Sequence, residues 1–153
     1  MTVFARLLRA HGTLRRELEA RLVAEHGLTI SDFETLLHLS HEPGYRMRRV
    51  DLAERLALTP SGVTRLLDGL TAADYVEKAS CSSDARVSYA VLTEEGLELL
   101  EAAARTNDRT CQELIGDHLT PGELELLSAL LGRLPTVGEV DGSSCEPEAP
   151  RDI

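Results

Sequence analysis

Arg46, Arg48 and Arg49 stand together just before one helical segment, and Thr59, Ser61, Gly62, Thr64 and Arg65 open the next. These residue types bind anions. Hydroxyls at a helix N-terminus donate to phosphate alongside the free backbone amides there, and such contacts fix register rather than sequence. Arg65, one turn further in, is long enough to reach a base edge, where bidentate pairing to guanine discriminates by about 1–3 kcal/mol. A second chemistry, metal ligation, is open to His38 and His41, three residues apart with Glu34 and Glu42 beside them, and to His118. Zinc takes such ligands, but the complete spacing of a zinc motif is missing. Cys81 lies in a Ser-rich stretch near Lys78 and Arg86, surroundings that favour a thiolate and make it a redox candidate. Cys111 sits on an apolar stripe and is expected in the core, as His11 is expected to pack at an interface. With no nucleophile–base pair, glycine-rich phosphate loop or complete metal set, an enzyme is not expected.

The elements that must hold these residues follow from periodicity. Phe4, Leu7, Leu8, Leu14, Leu18 and Leu22 form a stripe at three- and four-residue spacing, predicting a long first helix that ends near Gly27. Ser31 with Glu34 has capping-box spacing for a second helix, which buries Phe33, Leu36 and Leu37 and stops at Pro43-Gly44. Val50, Ala53 and Leu56 mark a short third helix. Thr59-Pro60 opens a fourth, with Thr as N-cap and Pro in the first turn, where no hydrogen bond is lost. Val63, Leu66, Leu67 and Leu70 face inward on it, leaving a small, polar outer face that can approach a groove closely. Residues 75–78 and 87–92 alternate as a two-stranded hairpin around the Ser-rich tip. Thr93 caps a fifth helix over roughly 94–118, and Thr120-Pro121-Gly122-Glu123 opens a last helix through Leu134. Mainly α with a small β-hairpin wing, the order describes a winged helix-turn-helix embedded between long outer helices.

The chain is acidic, with 16 Lys+Arg against 26 Asp+Glu and a net charge of −10. Placement matters more than the sum. Residues 45–92 carry 7 basic and 6 acidic groups, whereas residues 93–153 carry 4 and 14, so the surplus avoids the segment that holds the arginine clusters. No apolar run is long enough to span a bilayer, and the N-terminal MTVFARLLRAHG has arginines inside an amphipathic pattern, unlike a signal peptide. A cytoplasmic protein with no membrane partner is expected. Cys81, Cys111 and Cys145 are odd in number and form no CxxC pair, which predicts reduced thiols.

The segment VDLAERLALTPSGVTRLLDGLTAADYVEK, the wing SSDARVSYAVLTEEG and the flanking helices resemble the MarR family of transcriptional regulators over about residues 4–134. The resemblance implies a single domain over 1–134, with 2–27 and 94–134 as dimerisation helices and 31–92 as helix 2 plus the winged lobe. Residues 135–153 remain as an acidic tail, expected to be disordered. It further implies a homodimeric repressor on double-stranded DNA, binding a pseudo-palindromic operator and released by a small-molecule effector that enters the cleft between dimer helices and lobe. Thr59, Ser61, Gly62, Thr64 and Arg65 match the recognition helix of the major groove. Asp84 and Arg86 match the wing motif, in which the Arg reaches the minor groove and the Asp braces the loop. Arg46, Arg48 and Arg49 are expected as DNA-backbone contacts. Ala85 stands where many members carry Arg and Cys81 where Pro is usual, which makes this wing less basic. No cofactor is required on this reading. Zinc-sensing relatives make His38, His41, Glu42 and His118 the zinc candidates here. A zinc- or cysteine-responsive regulator and a winged-helix protein-interaction module are the alternatives.

Overall fold

The computed structural model describes residues 2–80 and 87–134. Helix α1 (Thr2–His26) leads to α2 (Ile30–Ser40), a 3-10 turn at Pro43–Tyr45, strand β1 (Arg46–Arg48), α3 (Arg49–Arg55) and α4 (Pro60–Ala72). Strands β2 (Val76–Ser80) and β3 (Ser88–Leu92) follow, then α5 (Glu94–Leu114), a 3-10 turn at Gly116–His118, and α6 (Pro121–Leu131). The fold class is the expected one, mainly helical with a small antiparallel wing.

Helix α2 starts two residues earlier than Ser31 and Glu34 suggested. Thr29 is the N-cap, accepting from Asp32 N at 3.1 Å while the Asp32 carboxylate accepts from Thr29 N at 2.9 Å. Two capping-box spacings compete in Thr29-Ile30-Ser31-Asp32-Phe33-Glu34, and burial decides between them. Starting at Thr29 places Ile30 in the first turn, 4% exposed, and its amide donates to Glu19 Oε2 of α1 at 2.8 Å.

The sheet has three strands in the order β1-β3-β2 among the described residues, one more than the predicted hairpin. β1 pairs antiparallel with β3 so that Met47 faces Ala90, and Met47 is buried between the outward Arg46 and Arg48. Three residues are too few for a periodic signal, but the Arg-Met-Arg alternation is the pattern such a strand leaves.

Leu36, Leu39, Leu52, Val63, Leu67, Val76 and Ala90 form the core, joined by Leu22 from α1 and by Leu100 and Ala103 from α5. Leu52 takes the place expected for Val50, which is exposed. On α5 the buried face is Gly96, Leu100, Ala103, Thr106 and Thr110, and Cys111 is exposed rather than in the core. Counting apolar residues picks out Cys111. The two threonines are buried instead because their hydroxyls are satisfied: Thr110 donates to Thr106 O at 2.7 Å, and Thr106 donates to Glu25 Oε2 at 2.8 Å. With that one proton committed, the 2.8 Å contact between His26 Nε2 and Thr106 Oγ1 requires the histidine to donate, which fixes its tautomer. Arg109 pairs with Glu25 at 2.7 Å and Arg21 with Glu113 at 2.6 Å, fastening α1 to α5 at two further points. α5 also ends earlier than 118, at Leu114, and a 3-10 turn replaces its last residues.

Thr120 and Glu123 form the predicted capping box of α6, with Thr120 N donating to Glu123 Oε2 at 2.8 Å. α6 ends at Leu131, short of the expected Leu134, and its leucines remain outside the core, with Leu126 and Leu130 exposed, as do Phe4, Leu7 and Leu8 of α1. His11 is also exposed.

Candidate nucleic-acid interface

The site is assembled by the turn between α3 and α4. Ala57 adopts a left-handed conformation with φ of 51°, and Leu58 N turns back to Ala53 O at 2.9 Å, ending α3 and redirecting the chain. Thr59 then caps α4, accepting from Gly62 N at 3.1 Å, and its hydroxyl lies 3.1 Å from Ser61 Oγ. Gly62 is small for a local reason. A Cβ there would stand 3.3 Å from Thr59 Oγ1, against the cap itself.

Val63, Leu67 and Leu70 anchor α4 in the core, leaving Ser61, Arg65 and Asp68 exposed and Thr64 half-buried. The outward side of this helix is therefore the one the sequence predicted. Asp68 is paired with Lys78 of β2, which ties α4 to the sheet. Lys78 is not among the predicted DNA-contacting residues.

The three arginines before α4 have distinct surroundings. Arg46 projects from β1 with its guanidinium 5.3 Å from the Tyr89 ring centroid, a cation–π contact on the face of the sheet. Arg48 forks onto both oxygens of Asp51, Nε to Oδ2 at 2.6 Å and Nη2 to Oδ1 at 2.8 Å, across the first turn of α3. Arg49 crosses to α4 and donates from Nη2 to Thr64 Oγ1 at 2.6 Å. A cavity of about 310 Å³ opens between α3, α4 and β3, bordered by Arg49, Val50, Pro60, Thr64 and Val87. Cys81, Asp84 and Arg86 lie outside the described residues.

The histidines are dispersed. His38 is half-buried, and desolvation, followed by the charge of Arg55, pushes its pKa down against the opposing Glu34 and Glu42, which favours the neutral ring. Glu42 is itself paired with Arg55 at 2.9 Å. His41 and His118 are exposed, on the residue after α2 and in the 3-10 turn after α5. Among the described residues no three His, Cys, Asp or Glu side chains gather into a group that could hold a metal ion. Partial desolvation and then Asp108 hold the Cys111 thiol above the usual cysteine range, which disfavours its thiolate.

Comparison with known proteins gives this arrangement its context. The profile of the MarR family matches residues 26–87. AbsC, a MarR family transcriptional regulator from Streptomyces coelicolor, is 32% identical, with 85% of this chain and 87% of that one covered and a TM-score of 0.77. Sco3205, a MarR family regulator from the same organism solved in complex with DNA, is 25% identical over 90% of this chain and 89% of its own, with a TM-score of 0.79. The HTH-type transcriptional regulator MhqR of Bacillus subtilis (strain 168) is 23% identical over 134 residues, 88% of this chain and 90% of its own. No helix of the described residues is long and apolar enough to cross a membrane.

Proposed function

The chain belongs to the MarR family of transcriptional regulators, and on that premise we propose that it is a homodimeric repressor binding a pseudo-palindromic operator in double-stranded DNA. The observation that carries this reading is the capped N-terminus of α4: Ser61 and Arg65 exposed on a helix whose opposite side is locked into the core by Val63, Leu67 and Leu70. With Pro60 lacking an N–H and Gly62 N given to the Thr59 cap, the Ser61 amide and hydroxyl are left to meet phosphate, and Arg65 reaches a base edge. The likeness to Sco3205, a relative solved in complex with DNA, supports double-stranded DNA as the partner of this helix. By its match to the family's Asp-x-Arg motif, Arg86 is assigned to the minor groove, where a narrow groove concentrates negative potential.

Two apolar faces support the dimer. Phe4 is 66% exposed and Leu126 59%, with Leu7, Leu8, Leu127, Leu130 and Leu131 beside them in sequence. A monomer seldom leaves so much leucine surface to water. Pairing α1 and α6 with those of a second copy covers it and sets two recognition helices about one helical turn of DNA apart. A small ligand that binds better when the lobes are spaced unlike the half-sites lowers operator affinity by that difference.

Selection of bound sequences from random duplex DNA, followed by titration of the enriched duplex at several salt concentrations, tests the reading. We expect an enriched inverted repeat and an affinity falling steeply with salt as condensed counterions are released. An affinity indifferent to salt, with nothing enriched, would instead mark the lobe as a protein-interaction module.

A further inference from the structure

Arg49 sits where a phosphate contact is expected, yet its geometry turns it inward. Its Nη2 donates to Thr64 Oγ1 at 2.6 Å, and its Nε is buried with no hydrogen-bond partner among the described residues. The Thr64 hydroxyl in turn donates its single proton to Pro60 O, one turn back on α4, at 2.9 Å. Both capacities that a hydroxyl uses first, its proton and a lone pair, are taken up by the protein.

A helical threonine divides between two rotamers, one of which points the oxygen at the carbonyl of the preceding turn. Arg49 holds Thr64 in that one. Because oxygen and methyl share one carbon, fixing the first fixes the second, and the methyl group is what Thr64 has left to offer a base. The apolar feature it suits on a major-groove edge is the C5-methyl of thymine.

We propose that Arg49 is a positioning residue for specificity: by committing the Thr64 hydroxyl to the protein, it makes Thr64 read a thymine methyl group rather than bind phosphate. The inference rests on α4 being the recognition helix. Arg49 then acts through Thr64 and makes no ion pair with the DNA backbone.

The test uses the full chain and the duplex it enriches from a random pool, in which each thymine is replaced in turn by deoxyuridine, removing one methyl group and nothing else. At one thymine per half-site, wild-type affinity should fall about fourfold, the worth of one buried methyl group. Thr64→Val, which keeps a methyl, should retain that loss. Thr64→Ser, which keeps only the hydroxyl, should bind both duplexes alike. Arg49→Met should also lose the discrimination while the slope of log affinity against log salt stays at the wild-type value. A role confined to stability moves the melting temperature but not the response to a single methyl group. Wild-type protein indifferent to every uracil replacement would overturn the inference. So would an Arg49→Met variant that keeps the discrimination and loses about one unit of salt slope, the mark of a phosphate contact. If wild-type protein enriches no sequence at all, the DNA reading itself fails, and the inference with it.

Discussion

Replacing Gly96 by Ala should destabilise the protein, although the same change in most helices stabilises. Gly96 is in the first turn of α5, where that helix meets the turn between α4 and β2. A Cβ built there falls 2.1 Å from Tyr75 O, 3.0 Å from Tyr75 C and 2.8 Å from Leu92 Cδ1. The leucine tip can swing away, but the carbonyl cannot, because Tyr75 O accepts from Thr93 N at 3.2 Å and Thr93 Oγ1 donates to Asp74 O at 2.7 Å. Helix and turn must separate by roughly 1 Å. Overpacking of this kind costs about 1–3 kcal/mol, and a gain in helix propensity of up to about 1 kcal/mol opposes it. A contact to tethered backbone belongs at the upper end of that range, leaving a net loss of about 2 kcal/mol. For a chain of this length that lowers the melting temperature by about 4–8 °C. Gly69→Ala is the matched control, since nothing lies within 4 Å of its Cβ in the middle of α4, and it should stabilise by up to about 1 kcal/mol. Thermal unfolding followed by circular dichroism at one protein concentration reads both. A Gly96→Ala protein that melts at or above the wild-type temperature would refute the packing argument.

Ala57→Gly should stabilise by about 1 kcal/mol, because φ of 51° is left-handed backbone that costs a side chain roughly 1–2 kcal/mol, and a lower urea midpoint would contradict it. Glu25 is held below the ordinary glutamate range by Arg109 and then by the Thr106 hydroxyl. Its folded carboxyl therefore binds a proton less tightly than the unfolded one, at about 4.3, and contributes stability that is complete above that pH and lost as pH falls through the folded value. Glu25→Gln should flatten the fall in melting temperature between about pH 5 and 3; a curve parallel to wild type would deny the coupling. On the proposed pairing of two copies, Leu127→Asp, placing charge on the exposed apolar side of α6, should shift the protein to monomers in analytical ultracentrifugation, and an association state equal to that of wild type would exclude α6 from the pairing.

Much of this structure is legible in the sequence where local chemistry and burial agree. Thr59-Pro60, Thr93, and Thr120 with Glu123 each open a helix as the sequence predicts. Where two local signals compete, tertiary contacts decide: Thr29 rather than Ser31 caps α2 because Ile30 needs to be buried. β1 is too short to be periodic, and the buried threonines of α5 are invisible to a count of apolar residues: Thr106 is satisfied by Glu25 and His26, about 80 residues away, and Thr110 by the carbonyl of Thr106. The interface shows the same division. Arg65 and Ser61 are outward because the apolar spacing of α4 makes them so, whereas nothing local reveals that Arg49 spans to Thr64 or that Arg46 lies against Tyr89. The acidity of the chain is equally a matter of placement, since the negative surplus belongs to the C-terminal segment and the lobe carrying the arginines is close to neutral.

Arg65→Ala decides whether the outer face of α4 reads sequence. The quantity to measure is the ratio of affinities for the enriched duplex and for a scrambled duplex of the same composition at fixed salt. Loss of a base-edge arginine should reduce that ratio about tenfold or more while leaving the melting temperature unchanged. A variant that binds both duplexes more weakly by the same factor would reduce Arg65 to a phosphate contact and contradict the claim.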